Sequence, residues 1–450
     1  MRPILMLLPL MLLAGCATAP PAGPPDVVAF PGAEGAGRLS LGGRGGAVVK
    51  VTSLEDSGPG TLRAAVEAKG PRTVIFETGG TIRLKTPLRV RNGRITIAGQ
   101  TAPGGGITLR DQPLVIAADD VVVRFVRSRL GDETGVQADA IDIVRGRRII
   151  LDHVSASWSV DETLSAGSRY DPPEAGVYDV TVQWSVIAES LNRSKHDKGE
   201  HGYGSLVRGG YGARMSFHHN LWASHTARMP RPGNYNGPDK DPTGPVIEFR
   251  SNVFYNWGRE RAGYNADEAA HITYSFVDNA YVPGPDSKGK SAFEEKNRLS
   301  KAWFAGNLMD GVAPKDPWSL VIGAPPADYR LPGPPDVAPV TAEAAADAYR
   351  RVLFEAGASR PRDPVDARIV EGIRSRQGRI VDSQASVGGW PELARGRARQ
   401  DSDEDGMPDE WEHRRGLDPV RPEGHEDIDG DGYTNLEIWL AELAEGKARP

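Results

Sequence analysis

The fold is decided by the stretch from Met215 to Arg231, MSFHHNLWASHTARMPR. Its first part has the length and composition of a β-strand that ends at Asn220. Its second part is a loop in which Arg228 and Arg231 flank Pro230. Two guanidinium groups held close together favour an anionic ligand. The stretch therefore predicts a strand, a polar corner and a charged loop, and the question is whether this unit repeats along the chain.

The unit does recur. Short β-branched or aromatic segments, separated by turn residues, begin 25 to 35 positions apart at Val121, Arg148, Val180, Met215, Val246 and His271. Asparagines follow several strands at intervals of 32, 27 and 28 residues: Asn220, Asn252, Asn279 and Asn307. If every coil turns at the same corner, these side chains stack and bond to the backbone between coils. The alternative is that asparagine simply favours turns, but the repeated spacing favours a ladder.

We therefore expect an all-β fold, a right-handed parallel β-helix, over residues 27–340. A short helix, Leu62–Glu67, is expected to cover its N-terminal edge. The 53 glycines and 36 prolines among 450 residues agree with a turn-rich β architecture. A net charge of −6 disfavours a general role in nucleic-acid binding.

The N-terminus predicts export. Residues 1–15 combine an early positive charge with an apolar run shorter than the roughly 20 residues that cross a bilayer, as signal peptides do. Leu13-Ala14-Gly15-Cys16 resembles a bacterial lipobox, and Cys16 is the only cysteine of the chain. A generic secretion signal with an incidental cysteine is the alternative. We expect a lipid anchor on Cys16, a flexible tether over residues 16–26 and an extracytoplasmic location, at the outer membrane or cell surface.

The pattern changes after the β-helix. Residues 342–353 predict a helix whose apolar side includes Tyr349, Val352 and Leu353. Residues 341–395 are expected to form a helical and extended flank that packs along the outside of the β-helix or leads away from it.

Two acidic segments predict calcium loops in a module spanning residues 396–450. From Asp401 to Glu412, oxygen ligands occupy positions 1, 3, 5, 9 and 12 and glycine occupies position 6, the spacing of a calcium-binding loop. The second segment, from Asp427, carries its glutamate at position 11 instead of 12. A solvated acidic tail is the alternative, which the apolar residues after each segment disfavour. The pair resembles dockerin-like or thrombospondin type 3 calcium repeats, and the expected ligands are Asp401, Asp403, Asp405, Asp409, Glu412, Asp427, Asp429, Asp431 and Asn435.

Four polar features fall on successive coils of the predicted β-helix. They are Asp139-Ala140-Ile141, then Leu151-Asp152-His153 with Trp158–Thr163, then the loop around His201, and finally the segment with Arg228. In this order they resemble the motifs of family 1 polysaccharide lyases, in the pectate lyase superfamily, over about residues 27–310. Each motif alone is weak, but the ordered set is specific.

The resemblance implies a calcium site and a catalytic arginine. Asp139 and Asp161 match calcium ligands of the family, and Arg228 matches its catalytic arginine. The family's further aspartate falls at Ser165, so Glu162 is expected to substitute for it. A surface salt bridge is the alternative role for Arg228.

The resemblance also implies contacts to substrate. Arg231 is expected to bind a substrate carboxylate, whereas the last arginine of the family's motif falls at Gly233. The family's substrate-binding lysine falls near Tyr203, so Lys195 or Lys198, on the same loop, is expected to take its role. His225 is expected to line the groove. Asp152 and His153 are expected to form a structural hydrogen-bonded pair.

The implied reaction is the calcium-assisted β-elimination of polygalacturonate, or pectin, to 4,5-unsaturated oligogalacturonides. A cation between protein and sugar carboxylates neutralises the charge that develops as C5 loses its proton. A lyase for another uronate polymer and a non-catalytic glycan-binding β-helix are the alternatives. An inverting hydrolase would need paired carboxylates without the arginine. We expect a monomer whose partners are an acidic polysaccharide and, through the lipid, a membrane.

Overall fold

The computed structural model describes residues 27–447. The signal peptide, Cys16 and tether predicted for residues 1–26 lie outside the described residues. Of the helices in this range, none is long and apolar enough to cross a membrane. The helices are α1 (Leu62–Glu67), α2 (Ala345–Glu355), α3 (Pro364–Arg374), α4 (Asp409–Arg415) and α5 (Asn435–Glu445).

Most of the chain between residues 47 and 323 is strand and turn. The strands are, in chain order, β1 (Ala47–Val51), β2 (Arg72–Phe76), β3 (Gly80–Arg83), β4 (Leu88–Val90), β5 (Ile95–Ala98), β6 (Ile107–Arg110), β7 (Leu114–Ala117), β8 (Val121–Arg124), β9 (Val126–Arg129), β10 (Ile141–Asp152), β11 (Ser155–Ser157), β12 (Leu164–Gly167), β13 (Val177–Gln183), β14 (Val186–Ala188), β15 (Leu206–Gly209), β16 (Arg214–His218), β17 (Leu221–His225), β18 (Arg231–Asn234), β19 (Val246–Arg250), β20 (Val253–Trp257), β21 (Arg261–Asn265), β22 (Ile272–Val277), β23 (Ala280–Val282), β24 (Ser291–Glu295), β25 (Ser300–Ala305), β26 (Leu308–Met309) and β27 (Val321–Gly323).

These strands form three parallel sheets that wind into a β-helix, which confirms the predicted fold. The first sheet has the order β1-β2-β5-β8-β10-β13-β16-β19-β22-β25. The second sheet has the order β26-β23-β20-β17-β14-β11-β9-β6-β3. The third sheet contains β4, β7, the first half of β10, β12, β15 and β18, and β21, β24 and β27 continue it. Each coil therefore contributes one strand to each sheet.

The predicted asparagine ladder is confirmed at the corner between the first and second sheets. The side-chain oxygens of Asn252, Asn279 and Asn307 each accept the backbone N–H of the preceding asparagine in the ladder, over 2.9 to 3.1 Å. Their amide groups donate to backbone carbonyls such as Phe217 and Phe249. Each such hydrogen bond contributes on the order of 1 kcal/mol net, and leaving the buried corner unbonded would cost more. Rows of stacked aromatic rings fill the interior beside the ladder, with Phe249 4.9 Å from Phe276.

The ends of the β-helix are covered. Helix α1 packs on β1, β2 and β4, as predicted, with Leu62, Ala65 and Val66 buried. The helix predicted for residues 342–353 is present as α2 but begins three residues later, because Glu343 instead extends to bond with His219. Helix α3 is attached to the second sheet from outside.

That attachment is an ion-pair network without exposed members. Arg129 on β9 pairs with Asp363 at 2.6 Å and Asp366 at 2.7 Å, and all three side chains are at most 1% exposed. Asp366 also accepts the hydroxyl of Ser155. The flank therefore covers the outer face of the second sheet, and we refer to the outer face of the third sheet as the groove.

The last part of the chain returns to the N-terminal coils. Successive contacts run from Ile380 with Asp286 through Trp390 with Arg129 to Ala394 with Gly105. Helices α4 and α5 then pack on the outer face of the first sheet through an apolar cluster: Ile75, Ala98, Met407, Trp411, Leu417, Leu436, Trp439, Leu440 and Leu443.

Candidate active site

The candidate site lies where strands of the third sheet begin. Asp139, Glu162, Tyr203 and Arg228 stand two to three residues before β10, β12, β15 and β18. Single parallel bridges join Glu162 to Tyr203 and Tyr203 to Ala227, so these loops stack in register from coil to coil. Residues that are far apart in the sequence are thereby brought to one line on the surface.

Three carboxylates form an acidic cluster on this line. Oxygen atoms of Asp139, Asp161 and Glu162 all lie within 4.8 Å of one another. Burial raises the pKa of Asp139 well above its usual value, and the neighbouring Asp142 raises it further. Burial likewise raises the pKa of Asp142 to about 7. Carboxylates this close together repel one another when ionised, and a cation bound between them would relieve that repulsion.

The set of donors fits a hard cation. Each member offers carboxylate oxygen, which Ca²⁺ prefers. Ser165, which stands where the resemblance led us to expect an aspartate, is close enough to lower the pKa of Asp139 and accepts the backbone N–H of Leu206. Asp142, on β10, was not among the predicted ligands, although it is close enough to Asp161 for the two charges to interact.

Two histidines that were not among the predicted site residues hold Asp161. Nε2 of His201 lies 2.8 Å from Asp161 Oδ1, and the ring of His196 stacks on that of His201 at 3.8 Å. Burial opposes ionisation of Asp161, but the hydrogen bond from His201 leaves its pKa below the usual value. Nδ1 of His196 accepts the backbone N–H of Lys198 at 3.0 Å, so in the neutral ring Nε2 carries the proton and acts as a donor. The pair therefore orients Asp161 as an ionised carboxylate.

Arg228 faces the acidic cluster between two tyrosines. Its guanidinium carbon lies 4.2 Å from the ring centroid of Tyr203, and its Nε donates to the hydroxyl of Tyr264 over 3.4 Å. Its Nη1 pairs with Glu162. The predicted alternative, a surface salt bridge, does not describe this arrangement, since the side chain of Glu162 is only 6% exposed. Arg231 lies on the same coil as Arg228, at the start of β18, where its Nη2 is 3.7 Å from Asp267.

The remaining predicted contacts are distributed differently. Lys195 and Lys198 are exposed on the loop before β15, and their role in binding substrate stays a prediction. The prediction for His225 is wrong: it is fully buried, with Nδ1 2.7 Å from the hydroxyl of Ser190 and Nε2 2.9 Å from the carbonyl of Ile187. Because β17 is covered on both faces, a side chain there does not reach the groove.

Asp152 and His153 have the structural role that was expected. Asp152 is fully buried and accepts hydrogen bonds from Arg124 at 2.7 Å and Gln183 at 2.8 Å. His153 contacts Asp152 at 2.9 Å and stacks on Phe125 at 4.6 Å. This pair stabilises the corner of the coil and is not part of the acidic cluster.

The first C-terminal loop forms a second group of carboxylates. Asp401, Asp403 and Asp405 have oxygen atoms within 4.8 Å of one another, and Gly406 takes the positive φ of 98° that position 6 requires. Glu412 is fully buried, and neither of its carboxylate oxygens has a hydrogen-bond partner among the described residues. Burial, reinforced by the aspartates, raises its pKa to about 8. Asp409, another expected ligand, instead accepts hydrogen bonds from the backbone N–H and hydroxyl of Ser402.

The second loop is built differently. Asp427, Asp429 and Asp431 cluster but are exposed. Asn435 donates to the carbonyl of Glu423 and is buried at the start of α5. Glu437 ion-pairs with Arg44 at 2.8 Å and bonds to the backbone N–H of Thr434 as a helix cap. No glutamate therefore closes this loop.

Comparison with known proteins identifies relatives over almost the whole chain. A protein named "Probable pectate lyase C" from Aspergillus fumigatus is 35% identical over 433 residues, which cover 93% of this chain and 94% of that protein. Its namesake from Emericella nidulans is 34% identical and covers 100% of this chain and 99% of its own length. No family model matches the chain.

Solved structures share the fold at low identity. The major allergen of cedar pollen has a TM-score of 0.53 at 17% identity, covering 72% of this chain and 92% of its own. A pectate lyase from Bacillus sp. N165, solved with trigalacturonate, has a TM-score of 0.50 at 12% identity, covering 72% of this chain and 98% of its own. At these identities the likeness concerns the β-helix alone. Because a relative named as a pectate lyase is 35% identical over 93% of this chain, the chain belongs to the pectate lyase family of polysaccharide lyases.

Proposed function

We propose that the protein cleaves polygalacturonate by calcium-assisted β-elimination at the groove of the third sheet. The observation that carries this proposal is the position of Arg228, which faces the cluster of Asp139, Asp161 and Glu162 across stacked coils. An anionic polymer needs cationic contacts, and an acidic cluster beside them needs a cation to accept a sugar carboxylate. The juxtaposition supplies both requirements.

In this proposal Asp139, Asp161 and Glu162 would hold a calcium ion, which would supply positive charge beside the sugar carboxylate and so make the C5 proton more acidic. Arg228 takes that proton, the electron pair forms the C4–C5 double bond, and the C4–O bond breaks. The leaving oxygen then takes up a proton. Arginine is ordinarily protonated at a pKa above about 12, so it needs a cationic environment that disfavours its own charge.

The chain's own residues prepare this step. Tyr203 and Tyr264 fix the guanidinium plane of Arg228, while His201 fixes Asp161. Arg231 offers a second guanidinium for the carboxylate of the same or a neighbouring sugar. Lys195 and Lys198 are placed to guide the polymer, since exposed cations on a flexible stem attract anions at long range.

The test is absorbance of the unsaturated uronate product, measured on polygalacturonate with calcium and with chelator. We expect absorbance to rise and chelator to abolish the rise. Product formation that is unaffected by chelator would contradict the role of calcium. Binding without turnover on every uronate polymer would support the alternative of a non-catalytic glycan-binding protein.

A lyase for another uronate polymer is the second candidate function. Ser165 and Gly233, which replace two charged residues of the family 1 motifs, favour it. A substrate panel of polygalacturonate, methyl-esterified pectin and alginate separates the two candidates by relative kcat/KM.

We propose calcium at the first C-terminal loop as well, with Asp401, Asp403, Asp405 and Glu412 as ligands. The buried carboxylate of Glu412, without a partner in the described part of the chain, supports this site because an ionised buried group needs a counter-charge. For the second loop, the exposed Asp427, Asp429 and Asp431 with Asn435 stay predicted ligands of a weaker site. Isothermal titration with calcium, run on the protein and on variants of each loop, measures how many sites bind.

Export and lipid attachment stay predictions from residues 1–16. We expect the protein to fractionate with membranes and a Cys16→Ser variant to fractionate with soluble proteins. A metabolically incorporated acyl label should be found on the parent protein and not on the Cys16→Ser variant. Light scattering of the protein without its first 26 residues tests the predicted monomer.

A further inference from the structure

The third sheet carries another arginine beside the proposed catalytic cluster, and no sequence motif points to it. Arg208 on β15 pairs in register with Gly233 on β18. A Cβ atom at Gly233 would lie 2.9 Å from Nε of Arg208 and 2.5 Å from Oδ2 of Asp267. The guanidinium and the carboxylate therefore occupy the space above Gly233 where a side chain of that residue would stand. An arginine is present at this place in the groove, but it comes from the neighbouring coil.

The charge at this place is not balanced. Asp267 pairs with Arg208 and lies 3.7 Å from Arg231, so two guanidinium groups share one carboxylate. Asp267 also accepts the backbone N–H of Asn234 at 2.9 Å. Nε of Arg208 is buried and has no hydrogen-bond partner within residues 27–447. One positive charge is thus left for an anion, which would meet the 11% of the Arg208 side chain that is exposed.

The surroundings fit a sugar. Arg208 lies 4.2 Å from the ring centroid of Tyr235, which is 37% exposed although it is a large aromatic residue. Arg208, Tyr235, Asn234, Asn236 and Asp267 line a hollow of about 250 Å³. A flat ring next to hydrogen-bonding groups is a common way to hold a pyranose, whose faces are apolar and whose edge is polar.

A chain of side-chain contacts links the hollow to the proposed catalytic cluster. Contacts run from Arg228 to Tyr264, from Tyr264 to Arg231, from Arg231 to Asp267 and from Asp267 to Arg208. A polymer whose reacting unit lies at Arg228 would place a neighbouring unit along this run.

We propose that Arg208 binds the carboxylate of a uronate unit next to the reacting one, and that Tyr235 supports the sugar ring. This rests on the proposed function, since it assumes that a uronate polymer lies in the groove. Arg208 would then be a substrate-binding residue that replaces a side chain missing at Gly233, and it would select for free carboxylates over methyl esters at this position.

Binding is measured by calorimetry in an Arg228→Lys background, which is expected to bind without turnover. Hexagalacturonate and its fully methyl-esterified form are titrated in parallel. Arg208→Gln should weaken hexagalacturonate by about tenfold or more, because a hydrogen bond to a charged group is lost, and leave the ester within about twofold. Asp267→Asn should act in the opposite direction and strengthen hexagalacturonate, because it removes the competing carboxylate. Tyr235→Ala should weaken both ligands.

The proposal is overturned if Arg208→Gln binds hexagalacturonate as the background does, or loses both ligands equally. It is also overturned if Asp267→Asn weakens the acid form, which would mean that the ion pair only supports the fold. The comparison of Asp267→Asn with the background protein tests the proposed subsite even if Arg208→Gln does not fold. If the background protein itself binds no hexagalacturonate, the proposed function has failed along with the subsite, whereas binding by the background with unchanged variants rejects the subsite alone.

Discussion

The molecule contains two clusters of carboxylates that differ in what surrounds them. At the third sheet, Asp161 has a side chain that is 32% exposed and is held by His201, while Glu162 is paired with Arg228. In the first C-terminal loop, Glu412 is fully buried and has no partner among the described residues. We call the first the open cluster, because the side chain of Asp161 is exposed and two members have charged partners, and the second the enclosed cluster, because Glu412 is buried without one.

The difference suggests two uses of the same ligand chemistry. An open cluster can share a cation with a substrate carboxylate, so its cation belongs to catalysis. A cluster that includes a buried glutamate can supply its ligands from the protein alone, so its cation would serve stability. The position of the enclosed loop agrees with this reading, because Asp401 also pairs with Lys50 on β1 at 3.1 Å and so links the module to the first coil.

The largest effect should follow from changing the open cluster's cationic neighbour. Arg228→Lys keeps the charge but loses the fork that contacts both Tyr264 and Glu162. We expect kcat on polygalacturonate to fall by about a hundredfold to ten-thousandfold, as loss of a general base does, with KM changed only a few-fold. Initial rates of product absorbance measure it.

Arg193→Lys is the matched control, since Arg193 is 70% exposed on the loop before β15 and its guanidinium pairs with an exposed glutamate, Glu200. Its kcat should equal that of the parent. Substantial turnover by Arg228→Lys would mean that another group is the base, and it would contradict the catalytic role proposed for the open cluster.

The second effect concerns the enclosed cluster. Glu412→Gln removes a buried carboxylate that has no counter-charge. Without calcium, the variant should therefore unfold at a higher temperature than the parent. With calcium at a hundredfold excess over its dissociation constant, the parent should gain about 2.7 kcal/mol and the variant little, so the order reverses. Thermal unfolding with calcium and with chelator measures both.

Turnover of Glu412→Gln at low temperature and saturating calcium should equal that of the parent, because the loop is remote from Arg228. Glu445→Gln, an exposed change in the same module, should leave both unfolding temperatures unchanged. Calcium-dependent stabilisation that survives in Glu412→Gln would show that the enclosed loop is not the stabilising site.

The features that could be predicted from the sequence are those that repeat along the chain or belong to a motif. The strands recognised in the sequence all belong to the first sheet, where β-branched runs and the corner at Asn220 repeat with the coil. The ladder was predictable because one polar residue recurs at one place per coil. Arg228 and Asp139 were found through motifs, which encode position as well as residue type.

The contacts that come from folding alone were not predictable. Arg208 stands above Gly233 only because β15 and β18 pair in register, and the sequence separates the two by an entire coil. His201 likewise holds Asp161 from the neighbouring coil, after strands β12, β13 and β14. His225 was assigned to the wrong side because β17 is buried throughout, so the alternation that distinguishes inner from outer side chains is lost.

Acid should weaken the coils beneath the open cluster. Burial lowers the pKa of His225 to about 4 and that of His219 to about 3, below the ordinary value of 6.5. A group whose pKa is lower in the folded state stabilises the protein fully above its unfolded pKa and loses that contribution as the pH falls through the folded pKa. Stability should therefore decline from about pH 6.5 toward pH 4, by on the order of 2 kcal/mol for each histidine.

Denaturant unfolding across this range measures the slope, with His225→Gln as the comparison. Glutamine keeps a donor and an acceptor for Ile187 and Ser190 but does not titrate. The variant should have a shallower decline below pH 6.5. An equal slope would mean that His225 is protonated in the fold and is not the buried neutral group described above.

The smallest effect is expected at the second C-terminal loop, although its spacing resembles that of the first. Asp429→Asn changes an exposed side chain, so stability should change by less than about 0.5 kcal/mol. The calcium-dependent rise in unfolding temperature should persist. A loss of this rise as large as that expected for Glu412→Gln would contradict the prediction and would make the two loops equivalent.

The two loops differ because of Glu437. If its side chain turned toward the second loop, its ion pair with Arg44 would break and the cap of α5 would be lost. An aspartate cluster without a closing glutamate has fewer oxygen ligands to offer, and calcium affinity depends on the number of charged ligands in the loop.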